Sequence, residues 1–137
     1  MGRRHILAMK ETAIAKAFDD FAVKYHEMVG TAGDINHRLI INPTILSLIE
    51  PCGKTILDVG CGQGYFTNIL ADDAKEVVGI DISGEMIKLA HPKGQQSKFF
   101  VEDICTLDGY EEYFDIVIFN MSLMNILGPR RGGKSIL

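Results

Sequence analysis

Three glycines near the middle of the chain stand between a short apolar run and a helical pattern. Gly60, Gly62 and Gly64 lie in the segment Asp58-Val59-Gly60-Cys61-Gly62-Gln63-Gly64. A strand that turns abruptly into a helix needs residues without a Cβ, because they adopt unusual backbone dihedrals and let a ligand approach the main chain. The Gly-x-Gly-x-Gly spacing differs from the Gly-x-Gly-x-x-Gly of dinucleotide sites. The turn therefore predicts a bound ligand other than a dinucleotide.

Acidic residues end the two apolar runs that follow this turn. Asp81 ends the first run, about twenty residues after the glycines, where an acidic side chain can accept hydrogen bonds from both hydroxyls of an unphosphorylated ribose. Asp103 follows the next run and offers a second acceptor, suited to an exocyclic amine such as that of adenine. The glycine turn and the two carboxylates together predict a nucleoside ligand.

Four apolar runs, separated by helical patterns, are the predicted strands. They cover residues 55–59, 77–80, 99–101 and 114–119. Strands that are buried on both faces and separated by helices form a parallel sheet with right-handed crossovers, which is the α/β doubly wound architecture. Ligands of such sheets bind beyond the carboxyl ends of the strands. The glycine turn, Asp81, Asp103 and Asn120 are all predicted to stand at that edge.

Helical patterns precede and connect these strands. Apolar residues recur at helical spacing from about residue 12 to residue 28 and predict an amphipathic helix that ends near Gly30. Asn42 and Pro43 predict the N-cap and the first residue of a short helix that stops at Glu50-Pro51. Ser83 is predicted to cap a helix that continues as far as residues 91–92.

Length and composition predict a single domain. The chain has 137 residues, within the roughly 100–200 residues of one domain. Hydrophobic residues make up 47% and charged residues 23% of the chain, which is enough apolar material for a core. We expect a helical cap at residues 10–50, a Rossmann-like core at 51–127 and a tail at 128–137.

Charge and cysteine usage bear on partners and compartment. The net charge is −4 and the basic residues are scattered, which argues against a nucleic acid partner and favours a small molecule. Cys52, Cys61 and Cys105 form neither a disulfide framework nor a metal-ligand cluster. No stretch approaches the ~20 apolar residues of a membrane span, and the N-terminal apolar stretch is too short for a signal sequence. We therefore expect a cytoplasmic protein without a bound metal or membrane contact.

Four segments of the chain resemble successive motifs of the class I S-adenosylmethionine (SAM)-dependent methyltransferases. They are Ile56-Leu57-Asp58-Val59-Gly60-Cys61-Gly62-Gln63-Gly64, Gly79-Ile80-Asp81-Ile82-Ser83, Val101-Glu102-Asp103-Ile104 and Phe114-Asp115-Ile116-Val117-Ile118-Phe119-Asn120. The resemblance covers roughly residues 18–127. It implies a Rossmann-like sheet with strand order 3-2-1-4, SAM as methyl donor and S-adenosylhomocysteine (SAH) as product.

The resemblance assigns the methionine portion of SAM to the first motif. Asp58 and the backbone around Gly60 and Gly62 are expected to hold it. Cys61 and Gly64 belong to the same cofactor-binding turn, and the small Cys61 is interpreted as structural rather than reactive.

The resemblance assigns the adenosine portion of SAM to the second and third motifs. The resemblance implies that Asp81 holds the ribose and that Ile82 packs on adenine. Asp103 and the backbone of Ile104 are expected to bind the adenine edge.

The resemblance assigns the part of the site that faces the methyl acceptor to the fourth motif and the leading helix. Asn120, with Met121 and Ser122, is expected to lie below the sulfonium where the acceptor approaches, and Tyr25 is expected to close the pocket. Amide and adenine N-methyltransferases similar to this motif usually carry Asn-Pro-Pro-Tyr there, whereas this chain has Asn-Met-Ser-Leu. A small-molecule acceptor is therefore favoured over DNA or protein amides.

The residue types leave the catalytic group unassigned. His26, His37 and His91 could each act as a general base, but each is interpreted as a surface or structural histidine. Methyl transfer to a small molecule is the leading function. The alternative is a non-catalytic module of this fold, or a truncated product, that binds cofactor or a partner without turnover. A nicotinamide-dependent oxidoreductase would need the dinucleotide glycine spacing.

The predicted sheet is short for this family. Members continue past the fourth strand to a seven-stranded sheet, and the added half helps to shape the acceptor site, whereas the chain stops soon after residue 127. The fourth strand is then expected to be an apolar edge with unpaired backbone groups, which invites pairing with another chain. A homo-oligomer formed through this edge, or a truncated product, is the expectation.

Overall fold

The fold begins with helices and continues as a sheet with intervening helices. The computed structural model describes residues 3–110 and 112–126, with side chains for 13–110, 112–124 and 126; the tail predicted at 128–137 lies outside them. The helices are α1 (Arg3–Val29), α2 (Asn42–Leu48), α3 (Tyr65–Leu70) and α4 (Gly84–Leu89), with a π-helical turn at His37–Ile41 and a 3-10 turn at Leu123–Asn125. The strands are β1 (Thr55–Val59), β2 (Glu76–Asp81), β3 (Ser97–Val101) and β4 (Ile116–Ile118).

The four strands form one parallel sheet in the order β3-β2-β1-β4. β1 lies in the interior of the sheet, paired with β2 on one side and with β4 on the other, and β3 pairs with the far side of β2. The predicted α/β fold class and the strand order are confirmed. Because all four strands run the same way, the glycine turn after β1, Asp81, Asp103 and Asn120 meet at one edge.

The sheet is packed on both faces. On one face, Ile56 packs with Phe66 and Leu70 of α3. The other face is covered by apolar residues that follow β3 or flank β4, namely Ile104, Leu107, Phe114, Phe119 and Ile126. Successive residues of a strand point to opposite faces, so every residue of β1 is buried. This explains why β1 has a nearly continuous apolar sequence rather than an alternating one.

Helix α1 is longer than its sequence pattern predicts. Its backbone is helical from Arg3 to Val29, and it ends at Gly30, whose φ is +60° and whose N–H donates to the carbonyl of His26 at 2.9 Å. A left-handed residue at this position is the usual end of a helix and favours glycine. The predicted end near Gly30 therefore agrees with the structure.

The prediction that Asn42 is an N-cap was wrong. Residues His37–Ile41 are already helical, and the Asn42 N–H donates to the His37 carbonyl, so α2 continues from this turn without a break. The Asn42 side chain is buried and accepts a hydrogen bond from the Tyr65 hydroxyl at 3.2 Å instead. Ser83 does cap α4, because its Oγ accepts the Met86 N–H at 3.1 Å.

Candidate functional site

The glycine turn is held in place by the neighbouring strand β2. The N–H groups of Gly60 and Cys61 donate to the Ile80 carbonyl at 2.8 and 3.0 Å. Gly60, Gly62 and Gly64 have φ values of +73°, +58° and +84°, which L side chains rarely adopt. A Cβ at Gly64 would also lie 2.5 Å from ring carbons of Phe99. The sequence therefore needs glycine here for backbone geometry and, at Gly60 and Gly64, also for space.

A cavity of about 260 Å³ opens beside this turn at the carboxyl edge of the sheet. It is lined by most of the predicted site residues: Tyr25, Gly60, Gly62, Asp81, Ile82, Asp103, Ile104 and Asn120. The predicted residues Asp58, Cys61 and Gly64 are not among its lining residues. The structure thus brings together three strand ends, the turn and the leading helix around one space.

Asp81 is the most constrained carboxylate of the cavity. Its Oδ2 accepts the Gly62 N–H at 2.9 Å and its Oδ1 accepts the Ser83 N–H at 2.8 Å. Burial raises the pKa of Asp81, although both backbone bonds act in the opposite direction. Each carboxylate oxygen has a further acceptor position, so the side chain can still accept hydrogen bonds from a ligand.

Asp103 stands at the end of β3 and is oriented by its own loop. Its Oδ1 accepts the Cys105 N–H at 2.8 Å, an Asx-turn that fixes the carboxylate relative to the backbone. Ile82 and Ile104 supply apolar surface on the same cavity. This end of the cavity therefore combines apolar walls with a carboxylate acceptor.

The end of β4 contributes Asn120 and Ser122. The Oδ1 of Asn120 is buried and makes no hydrogen bond of good geometry with the described residues. The Asn120 side chain lies close enough to the Tyr65 hydroxyl to oppose the rise that burial causes in the pKa of Tyr65. The Ser122 Oγ donates to the Val59 carbonyl at 2.5 Å, and a Cβ at Gly60 would overlap Ser122. The segment after β4 therefore packs directly on the glycine turn.

Asp58 lies inside the fold rather than on the cavity wall. It is 1% exposed, and its Oδ2 accepts the Thr67 hydroxyl at 2.7 Å. Its Oδ1 is buried with no hydrogen-bond partner among the described residues. Burial raises the pKa of Asp58 to about 6. A buried carboxylate with half of its acceptors unused is costly, so Asp58 is not explained by packing alone.

Cys61 packs under the neighbouring strand. It is buried, and its Sγ would lie 2.9 Å from a Cβ at Gly79. Burial raises the pKa of the Cys61 thiol well above its usual range. The thiol is therefore protonated near neutral pH and is a poor nucleophile.

Several cavity residues were not predicted to be site residues. Ile14 and Phe18 line the cavity together with Tyr25, and their spacing of four and seven residues puts all three on one helix face. That spacing was a signal the sequence carried. His37 also lines the cavity, with its Nδ1 2.8 Å from Asp34 Oδ1; it lies in a π-helical turn that no sequence pattern indicated.

Two further kinds of site are absent from the described residues. No helix there is long and apolar enough to cross a membrane. No group of three or more His, Cys, Asp or Glu side chains in that part of the chain is arranged to hold a metal ion.

The fold and site define the class of Rossmann-like α/β domains whose ligand site lies at the carboxyl edge of a parallel sheet. A sequence family described as methyltransferase domain matches residues 57–136. The chain belongs to the class I SAM-dependent methyltransferases.

Two relatives show how much of such a protein the chain represents. The malonyl-acyl-carrier-protein O-methyltransferase of Hamiltonella defensa is 29% identical over 119 residues, which are 86% of this chain and 44% of that protein. The ubiquinone biosynthesis O-methyltransferase of Coxiella burnetii is 32% identical over 108 residues, which are 73% of this chain and 46% of that protein. The chain therefore spans less than half the length of these relatives.

Solved structures share the fold. The magnesium protoporphyrin IX methyltransferase of Synechocystis, solved with bound SAM, has a TM-score of 0.61 at 24% identity over 79% of this chain and 60% of that one. The phosphoethanolamine N-methyltransferase 1 of Haemonchus contortus, in complex with phosphoethanolamine and SAH, has a TM-score of 0.64 at 21% identity over 79% and 24% of the two chains. At these identities, the likeness is one of fold.

Proposed function

We propose that the chain binds SAM in the cavity at the carboxyl edge of the sheet and forms the cofactor half of a methyltransferase for a small-molecule acceptor. The geometry of Asp81 carries this proposal. Its carboxylate lines the cavity while the N–H groups of Gly62 and Ser83 fix both oxygens. An acceptor oriented before binding loses little entropy when ribose hydroxyls donate to it.

The remaining residues suit the other parts of SAM. Ile82 and Ile104 offer apolar surface for adenine, and Asp103 offers an acceptor for its amine. The buried Oδ1 of Asn120, on the cavity wall, suits a ligand that brings an ammonium group, and such a group would reach the unpartnered Oδ1 of Asp58 through a water molecule. The volume of about 260 Å³ lies just below the roughly 300–1,000 Å³ usual for small-molecule sites, which suits one small ligand.

The protein's part in methyl transfer is alignment and exclusion of water. SAM supplies a methyl group that its positive sulfur already activates, so positioning accounts for most of what the chain must do. Phe18 and Tyr25 cover the cavity with apolar surface from α1. Asn120 and Ser122 border it at the end of β4, where we place the approach of the acceptor.

We propose an oxygen atom of a small molecule as the methyl acceptor. The two relatives compared above are both named O-methyltransferases. The net charge of −4 and the absence of the Asn-Pro-Pro-Tyr prolines after β4 favour such an acceptor over nucleic acid. The cytoplasmic location expected from the sequence stays a prediction.

Titration calorimetry tests the cofactor assignment. We expect saturable binding of SAM and SAH and no binding of NAD. Asp81→Asn should weaken SAH affinity by on the order of 1–3 kcal/mol, because it replaces the charged acceptor of the ribose hydroxyls. Asp73→Asn, a matched change at an exposed carboxylate, should leave the affinity unchanged.

Three outcomes would contradict the proposal. Binding of NAD would indicate a nicotinamide site, and binding of none of the three would favour a non-catalytic module. Equal affinities in the Asp81 and Asp73 variants would place the ribose elsewhere.

Turnover is measured as SAH formed from SAM with panels of hydroxyl, carboxyl and amine acceptors, and methylation confined to amines would refute the oxygen assignment.

We also propose that the chain self-associates through β4. β4 is hydrogen-bonded to β1 and to no other described strand, and an edge left unpaired in this way can pair with another chain.

A further inference from the structure

Helix α1 forms a wall of the cavity, and side chains in its described part attach it to the sheet layer. Its cavity face consists of Ile14, Phe18 and Tyr25. Next to this face, Ala22 is fully buried at 0% exposure, and α1 packs against α4. At the C-terminal end of α1, the Gln63 side-chain amide donates to the Gly30 carbonyl at 2.6 Å. The end of α1 is therefore fixed to the glycine turn, and the part that carries Ile14 and Phe18 needs a separate attachment.

Asp19 provides that attachment. Its Oδ1 accepts the Ser83 hydroxyl at 2.5 Å and the Glu85 N–H at 3.1 Å. The hydrogen bond from Ser83, more than that from Glu85, lowers the pKa of Asp19, which keeps the carboxylate ionised at neutral pH. Hydrogen bonds to an ionised acceptor are stronger than those between neutral groups. We call this arrangement of Asp19, Ser83 and Glu85 the Asp19 latch.

The Asp19 latch is joined through Ser83 to Asp81, the carboxylate that we propose to bind the ribose. Ser83 donates its hydroxyl to Asp19 and its N–H to Asp81 Oδ1. Asp81 Oδ2 in turn accepts the Gly62 N–H, so a continuous series of hydrogen bonds runs from α1 to the glycine turn. Tyr25 of α1 stands over the same turn, with Cε1 3.6 Å from where a Cβ of Gly62 would lie.

We infer that Asp19 is a positioning residue that raises cofactor affinity without touching the cofactor, by holding the cavity face of α1 in place. The inference rests on the proposed SAM site. A ligand in the cavity contacts Phe18 and Tyr25, so its apparent affinity falls by the fraction of molecules in which α1 is out of position. The latch keeps that fraction small before the ligand arrives.

Asp19→Ala removes both latch bonds and substitutes none of the residues that line the cavity. We expect it to weaken SAH binding about tenfold by calorimetry, the loss expected for a partly exposed charge-assisted pair. Asp19→Asn keeps an oxygen that can accept from Ser83 and Glu85 but loses the charge, so its affinity should lie between those of wild type and Asp19→Ala. Asp20→Ala is the matched control, because Asp20 is the next residue of α1 and pairs with the exposed Lys16.

Amide hydrogen exchange separates positioning from a general loss of stability. In the ligand-free protein, Asp19→Ala should raise exchange at residues 14–22 and leave β1 and α3 protected. Asp20→Ala should change neither. Circular dichroism confirms that each variant is folded, and Asp19→Asn serves if Asp19→Ala is not.

The outcomes distinguish the two proposals. If wild type binds SAH and Asp19→Ala binds it as tightly as Asp20→Ala does, the latch is refuted and the SAM site stands. If wild type does not bind SAH, the SAM site fails. Exchange at residues 14–22 then still decides whether Asp19 positions α1, and unchanged exchange would overturn that role too.

Discussion

At the scale of single residues, burial of the Asp58 carboxyl lowers the stability of the folded protein when that carboxyl is ionised. Its ordinary pKa of 3.8 rises to about 6 in the folded protein because the carboxyl is buried. The folded state therefore binds a proton more tightly than the unfolded state. The stability that the protonated group contributes is fully present below about pH 4 and is lost as pH rises through about 6.

Asp58→Asn should remove this loss, because an amide cannot ionise while its oxygen can still accept from Thr67. We expect the variant to be more stable than wild type by on the order of 1–3 kcal/mol at pH 7.5, with the difference shrinking toward pH 4. Thermal unfolding across this range measures it, with Asp73→Asn as the exposed control. A variant less stable than wild type at pH 7.5, or a gain independent of pH, would contradict the argument.

The site residues were predicted from sequence to different degrees. Asp81, Asp103 and Asn120 could be predicted because each ends an apolar run, and parallel strands bring such ends to one edge. Asp58 stands within a run rather than after it, so the sequence does not say whether its side chain reaches a ligand or the core. His37 could not be predicted, because its place on the cavity depends on how the segment after α1 folds back over Tyr65.

At the scale of elements, the start of α3 depends on a glycine that serves two purposes. Gly64 precedes α3 with a φ of +84°, and a Cβ there would meet the Phe99 ring of β3. Gly53 has a φ of +70° with open space around it. Gly84 begins α4 with neither constraint. The three positions separate backbone strain from steric overlap.

Alanine at these positions should produce a graded series in urea unfolding. Gly84→Ala should change the free energy of unfolding by less than about 0.5 kcal/mol or stabilise the protein. Gly53→Ala should cost about 1–2 kcal/mol for the left-handed backbone alone, and Gly64→Ala about 2–4 kcal/mol because overpacking adds to the strain. Equal losses at Gly53 and Gly64 would show that Phe99 moves aside without cost.

The elements themselves were predictable where local sequence and packing agree. The strands, the end of α1 at Gly30 and the Ser83 cap follow from local chemistry. The role of the Asn42 side chain could not be predicted from local sequence. Asn-Pro is a common helix start, and only the position of Tyr65, which is distant in sequence, shows that the Asn42 amide is used elsewhere.

At the scale of the whole molecule, the two strands at the edges of the described sheet differ in the side chains that they expose. β3 carries Lys98, which is half-exposed and pairs with Glu76. β4 has the aliphatic sequence Ile-Val-Ile, with Val117 45% exposed. Charged side chains on an edge strand discourage pairing with another chain, and aliphatic ones do not. β3 also exposes the apolar Phe100 and Val101, so the charge of Lys98 is the difference from which we expect self-association through β4 rather than β3.

Light scattering after size-exclusion chromatography should give a mass of at least two chains. Val117→Lys should shift the protein to a monomer, because a charge on this edge opposes strand pairing. Val101→Lys on β3, at a position 53% exposed, is the control and should leave the mass unchanged. A monomeric wild type would refute self-association.

The hydrogen bond from Ser122 to the Val59 carbonyl has a consequence for the order of events during synthesis. It joins residues 63 positions apart, and the packing of Ser122 on Gly60 spans nearly the same distance. On the ribosome, β1, the glycine turn, α3, β2 and β3 all emerge before this partner exists. The contacts of Ser122 with the glycine turn can therefore form only after β4, the last of the described strands, has left the ribosome.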